Sequence, residues 1–351
     1  MSLASLQITG VRCVASASLE FSPGLNLVFG ANGSGKTTVL ESAFLIGRGR
    51  SFRTRHTEQL VARGRDRLQV FGTTLDPAHR IGFEYRRDES YAARLDGQDV
   101  RSLAELPTAL FAEVIDPEVH RLVEGAPAER RRWLDWGVFH VEHGFLEAWL
   151  RFTRTLKQRN AALRSGQDPS PWNAELVEQG EAVARLRGAW LQSVLPFWQE
   201  VVQRLSSLPV EMHYYQGWSA ERSLAEVLSE GLERDRARGS TLSGPQRADV
   251  QLRLQGRPAR EVLSRGQQKL VAASMVLALM QRLRGERPTP PTLLLDDPAA
   301  ELDSFRLGAL VDLVKGLHCQ LIVTSLHADL GSFGAPDRMF HVEQGVVNRI
   351  R

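Results

Sequence analysis

Long apolar runs are missing from this chain of 351 residues. The most apolar stretch, residues 270–280, is about half the roughly twenty residues that a membrane-spanning helix requires. No basic segment followed by an apolar block opens the chain either. A protein that neither crosses a membrane nor is exported is therefore expected, in the cytoplasm. Cysteine is scarce: Cys13 and Cys319 lie far apart, without the spacing of a metal site or redox pair, and both read as buried free thiols in a reducing compartment. Lysine is nearly absent, for Lys36, Lys157, Lys269 and Lys315 are the only ones among 44 basic residues. The arginines that replace it carry planar forks suited to phosphate. A genome's base composition produces the same bias, so the total identifies no ligand. Internal repeats and long heptad runs are absent too, which excludes a solenoid and an extended coiled coil.

What is present is an ordinary globular composition, 42% apolar and 24% charged, in a chain longer than one core usually serves. Strand patterns occupy residues 3–9, 12–21 and 25–29, and a short helix is expected over 38–46. Further strands are expected at 68–75, 81–86, 91–95 and 108–115, with Asp96-Gly97 as a hairpin turn. From residue 117 to about 240 the apolar period becomes helical, with breaks at 166–171 and at Pro196, and all seven tryptophans fall there. Their aliphatic neighbours favour a core role over base stacking. Strand character returns at 250–254, followed by a helix over 265–283, strands at 292–295 and 321–324, and a helix over 304–317. The expected organisation is a strand-rich head, 1–116 and 241–351, carrying an inserted helical domain, 117–240.

Gly30-Ala31-Asn32-Gly33-Ser34-Gly35-Lys36-Thr37 fits G-x-x-x-x-G-K-[ST] between a predicted strand and a predicted helix. Glycines let such a loop wrap, so that backbone N–H groups and the helix N-terminus face phosphate oxygens. Lys36 reaches the β and γ groups, the Thr37 hydroxyl can ligate Mg²⁺, and Thr38 follows within the first turn. Downstream, the apolar residues 292–295 end in Asp296-Asp297. Asp296 can hold Mg²⁺ through water, and Asp297 can orient or deprotonate an attacking water.

Leu263-Ser264-Arg265-Gly266-Gln267 resembles the signature of ABC-type ATPases, and Glu301-Leu302-Asp303 resembles their D-loop. Taken with the phosphate loop and Asp296-Asp297, the pattern implies an α/β ABC-type ATPase head: a phosphate-loop sheet plus an antiparallel β subdomain, with the helical insertion. The match narrows to the RecF family. It rests on residues 23–30, 47–53, 116–118, 123–127, 131–135, Gly244-Pro245-Gln246-Arg247 and 296–303. Trp133 stands where Phe or Tyr is usual and Gln246 where His is usual. The switch histidine of ABC-type ATPases is replaced by Ser325, with His327 two residues late.

The resemblance implies ATP and Mg²⁺ as cofactors and weak, DNA-stimulated hydrolysis. It implies an ATP-driven homodimer in which Ser264, Arg265, Gly266 and Gln267 act in trans, clamping double-stranded or junction DNA at gaps. It also implies a recombination mediator that works with RecR and RecO to favour RecA loading. For DNA, the arginine-rich connection offers Arg48, Arg50, Arg53, Arg55, Arg63 and Arg65, evenly spread among glycines as a backbone contact requires. A solvated loop is the competing reading. Arg130-Arg131-Arg132, opening a helix against its dipole, wants an acidic partner or a phosphate. Two other classes share part of the pattern, the ATPase subunit of a transporter and a small-molecule kinase. The long insertion and the missing switch histidine argue against the first, and the signature argues against the second.

Overall fold

The computed structural model describes residues 2–88, 90–284, 286 and 291–351. The chain divides into two compact units, Met1–Val119 with Arg287–Arg351, and His120–Glu286. The strands in chain order are β1 Ser2–Val11, β2 Val14–Glu20, β3 Leu25–Phe29, β4 Arg67–Leu75, β5 Arg80–Arg86, β6 Tyr91–Leu95, β7 Gln98–Asp99, β8 Ala112–Ile115, β9 Val210–Tyr215, β10 Asp249–Leu254, β11 Arg257–Pro258, β12 Thr292–Leu295, β13 Gln320–Ser325, β14 Arg338–Glu343 and β15 Val346–Arg349.

The first unit holds two six-stranded sheets. One runs β2-β1-β4-β5-β6-β7 and is antiparallel throughout. Along β4 every second residue is buried, as in a sheet covered on one face. The other runs β15-β14-β3-β13-β12-β8, parallel except for the β14–β15 hairpin. β12 is buried at all four residues, as a central parallel strand covered on both faces must be. The helix Lys36–Arg48 buries Val39, Leu40, Ala43, Phe44 and Ile46 in a core with Leu6 and Ile8 of β1 and Val70 of β4. Gly72 of β4 leaves room for that helix, since a Cβ there would stand 2.4 Å from Ile46 Cδ1.

The strand expected over 12–21 begins later, because Arg12 takes a left-handed turn, φ 48°, and Cys13 lies exposed in it rather than buried. Cys319 is half-buried. The strand expected over 108–115 shortens to β8, since Leu106–Ala109, with Pro107 near its start, forms a helical turn.

The second unit contains the helices Pro127–Val141, Phe145–Arg164, Asn173–Ser206 and Arg265–Leu283 and the sheet β11-β10-β9. No break occurs at Pro196. The helix runs through it, held by Trp190, Leu191, Val194, Trp198 and Val201, all buried around the proline. Lost propensity is there outweighed by packing. The unit also continues past residue 240. Arg265–Leu283 is buried almost all round, and the Trp133 indole donates to Met275 O at 3.1 Å, so this helix belongs to the tryptophan-rich core. Trp133, Trp190, Trp198 and Trp218 are buried. Among the described residues, no helix is long and apolar enough to cross a membrane.

Candidate nucleotide site and arginine surface

Three parallel neighbours, β3, β13 and β12, end at the same edge of their sheet. The phosphate loop follows β3, Asp296-Asp297 follows β12, and Thr324 and Ser325 close β13 between them. Ligands of open α/β sheets gather at such carboxyl ends. Gly30 at φ 155° faces the backbone so closely that a Cβ would meet Val342 O at 2.1 Å. A Cβ at Gly33 would meet nothing within 4 Å, and it is the φ of 77° that excludes most residues. Ala31 and Asn32 are exposed on the loop. Ser34 is buried, and its Oγ has no hydrogen-bond partner among the described residues. The loop is fastened at both ends, Gly30 N donating to Ser325 O at 3.2 Å and Gly345 N to Ser34 O at 2.8 Å.

Lys36 is 5% exposed. Its ammonium donates to Gly30 O at 2.9 Å and Ala31 O at 3.2 Å and lies 3.7 Å from Asp297 Oδ2. The Thr37 hydroxyl is 3.1 Å from both Asp296 oxygens. Thr38 is buried beside Cys13, with Oγ1 3.8 Å from Sγ. Burial pushes the Asp296 carboxyl above the usual carboxylate range, opposed by hydrogen bonds from Thr324 and Thr37 and by the charge of Arg53. Asp297 sits at φ 50°, a left-handed conformation that lifts its side chain from the strand line toward Lys36. The loop's glycines, the buried cation and the orphan Ser34 hydroxyl suit a polyphosphate. The Thr37 hydroxyl beside Asp296 supplies the hard oxygen donors that Mg²⁺ prefers.

Thr324 is the site residue that motif reading missed. Its hydroxyl donates to Asp296 Oδ1 at 2.8 Å and accepts the Asp297 N–H at 2.8 Å, thereby holding the Asp296 carboxylate and the Asp297 backbone. The available signal was its place at the end of an apolar strand. His327, two residues beyond Ser325, is exposed and donates its backbone N–H to Ser325 Oγ at 3.2 Å. Asp303 caps the helix Ser304–Leu317 by accepting Arg306 N at 2.8 Å, and Glu301 ends the preceding helical turn, exposed.

In the second unit, Ser264 caps the helix Arg265–Leu283 reciprocally with Gln267. Ser264 Oγ accepts Gln267 N at 3.3 Å, while Gln267 Oε1 accepts Ser264 N at 2.9 Å. Ser264, Arg265 and Gly266 are exposed. A long helix thus presents its N-terminal amides at the surface, where an anion is favoured.

The arginines divide. Arg48 leaves the expected DNA set, because its side chain is 6% exposed, pairs with the buried Glu113 and lies 5.3 Å over the Phe44 ring. Arg50, Arg53, Arg55, Arg63 and Arg65 are exposed. Arg65 and Arg67 line a cleft of about 630 Å³ together with Arg86 and Arg87. The antiparallel register places Arg67 opposite Arg86, so residues nineteen apart in sequence share one rim. Arg130-Arg131-Arg132 finds protein partners. Arg130 grips Asp249 at 2.8 and 3.0 Å, Arg131 donates to Ala248 O at 2.8 Å and Arg132 to Glu129 at 2.6 Å.

Residues 2–348 match the family described as RecF/RecN/SMC N terminal domain. "DNA replication and repair protein RecF" of Stutzerimonas stutzeri (strain A1501) is 40% identical over 362 residues, covering 100% of this chain and 98% of its own. The protein of that name from Azotobacter vinelandii is also 40% identical, with 99% of each covered. Among solved structures, the recombination mediator protein RecF with ATP in the RecFOR pathway covers 100% of this chain and 98% of its own, with a TM-score of 0.89 at 24% identity. The Smc head domain derived from Pyrococcus furiosus covers 99% and 96%, with a TM-score of 0.60 at 16% identity. The fold is accordingly an ABC-type ATPase head of the kind shared by RecF and SMC proteins.

Proposed function

From the premise that the chain belongs to the RecF family of DNA replication and repair proteins, we propose that it is an ATP-dependent DNA clamp acting as a recombination mediator. The observation that carries this reading is the convergence of Lys36, Thr37, Asp296, Asp297 and Thr324 at one sheet edge. ATP phosphates take the loop amides of residues 30–38, and Lys36 turns its ammonium from its own carbonyls to the β and γ groups. Thr37 and Asp296 would hold Mg²⁺, which would supply positive charge to the phosphates. Asp297 orients the attacking water or accepts its proton, and Thr324 holds the Asp297 backbone and the Asp296 carboxylate in place.

A second copy completes the site. Ser264 to Gln267 of one protomer approach the γ-phosphate on the other, so ATP closes a homodimer and slow hydrolysis reopens it. Duplex or junction DNA lies along Arg50, Arg53, Arg55, Arg63 and Arg65, extended by Arg67, Arg86 and Arg87 around the cleft, through phosphate contacts without base reading. Membership of the RecF family supports cooperation with RecR and RecO to favour RecA loading. Sedimentation with ATP, with ADP and without nucleotide, each with and without duplex DNA, tests the reading. A dimer that forms only with ATP and retains DNA is expected; a monomer under every condition would overturn the clamp.

A further inference from the structure

Glu41 lies on the phosphate-loop helix, about one and a half turns beyond Lys36, and its carboxylate is fully buried. Desolvation makes such a group costly unless it is fully paired. Three donors pair it. Arg12 donates through Nη2 at 2.9 Å and through Nε, and Ser51 donates through its hydroxyl. The Ser51 oxygen in turn accepts the backbone N–H groups of Arg53 at 2.9 Å and Thr54 at 3.1 Å. The next residue, Phe52, meets Phe44 of the same helix edge-on, with ring centroids 5.5 Å apart. The segment that carries Arg50, Arg53 and Arg55 is therefore fastened at two successive residues to the helix that begins with Lys36 and Thr37.

We propose that Glu41 is a positioning residue that, through Ser51, ties the arginine segment to the phosphate-loop helix, so that nucleotide at residues 30–38 and DNA phosphates on Arg50, Arg53 and Arg55 act on each other. The proposal rests on the ATP and DNA reading above. It explains why a fully buried carboxylate is kept on this helix. Phosphate contact at the loop orders the first turns of the helix, and the Glu41–Ser51 link passes that ordering to the backbone around Arg53. In the other direction, DNA that fixes the arginine segment steadies the helix under Lys36 and Thr37.

Hydrogen exchange on the full chain tests this, with and without ATP and Mg²⁺. Ser51→Ala removes only the loop end of the link and leaves the Arg12–Glu41 pair and the packing of Phe44 on Phe52, whereas Ser51→Thr keeps the hydroxyl. In the parent, ATP should slow exchange at residues 33–38 and at 51–55 together. Ser51→Ala should keep the first effect and lose the second, and Ser51→Thr should restore it. Glu41→Gln should resemble Ser51→Ala, and at saturating duplex both should hydrolyse ATP at the rate seen without DNA. A purely structural tie would change stability and leave the response to nucleotide intact. Slowing at 51–55 that persists in Ser51→Ala, or is absent from the parent while 33–38 responds, overturns the link alone. No effect of ATP at 33–38 removes the nucleotide reading and the link with it.

Discussion

Thr324 bridges the two acidic residues of the site: its hydroxyl donates to Asp296 Oδ1 at 2.8 Å and accepts the backbone N–H of Asp297 at 2.8 Å. Asp296 is buried, and each donor it has offsets part of its desolvation. A hydrogen bond to a charged group contributes about 1.5–3 kcal/mol. Thr324→Val should therefore lower ATP turnover by roughly tenfold or more while leaving nucleotide affinity within a few-fold, and Thr324→Ser should retain activity. Single-turnover hydrolysis beside equilibrium nucleotide binding measures both, and a Thr324→Val protein with parental turnover contradicts the role.

Arg48 should act on stability rather than on DNA. Removing it takes the guanidinium partner from the buried Glu113, a loss on the order of 3–5 kcal/mol. Urea unfolding of Arg48→Ala should show a correspondingly lower midpoint. Its DNA affinity, measured where the variant is folded, should keep the parental dependence on salt.

Replacing Arg50 and Arg53 together by alanine should instead reduce the slope of log affinity against log salt by about two, one for each DNA phosphate that the protein no longer neutralises. The weakening should be equal across unrelated DNA sequences. An unchanged slope would return this segment to a solvated surface.

The two thiols should differ in reactivity. Cys13 is exposed, whereas burial pushes the Cys319 thiol up to about 12. Since the thiolate is the nucleophile, a thiol reagent at mildly alkaline pH should label Cys13 in the native protein and Cys319 only after unfolding. The native state holds the Cys319 proton more tightly than the unfolded chain, so this group's contribution to stability falls as pH rises from the ordinary thiol range toward 12. Mass spectrometry of the labelled peptides decides between the sites.

Contiguous features were legible from sequence, and features made by pairing were not. Gly30 to Thr37, Asp296-Asp297 and Ser264 to Gln267 carry their chemistry within a few residues, so their strand or helix context was enough to place them. Thr324 lies 28 residues beyond Asp296 and joins the site only because β13 runs between β12 and β3. Arg86 and Arg87 reach the arginine rim only through the β4–β5 register. Arg48 looked like its neighbours in an arginine run. Its burial follows from being in the last turn of a helix, one turn after Phe44 and within reach of Glu113. The helix through Pro196 and the extent of the second unit were decided by packing of tryptophans and aliphatics far apart in sequence, which local pattern does not report.

Two chains are expected to build each hydrolytic site, with Lys36 acting in its own protomer and Ser264 across the dimer. Lys36→Ala should lose nucleotide affinity. Ser264→Arg should bind ATP as the parent does, yet neither dimerise with it nor hydrolyse it. ATP turnover measured while the two variants are mixed in varying proportion tests this most directly. Each variant alone should be nearly inactive, and the mixture should recover activity, greatest near equal proportions, because one site of the heterodimer combines an intact phosphate loop with an intact signature. Ser264→Arg that alone dimerises with ATP and turns it over at the parental rate would contradict the account.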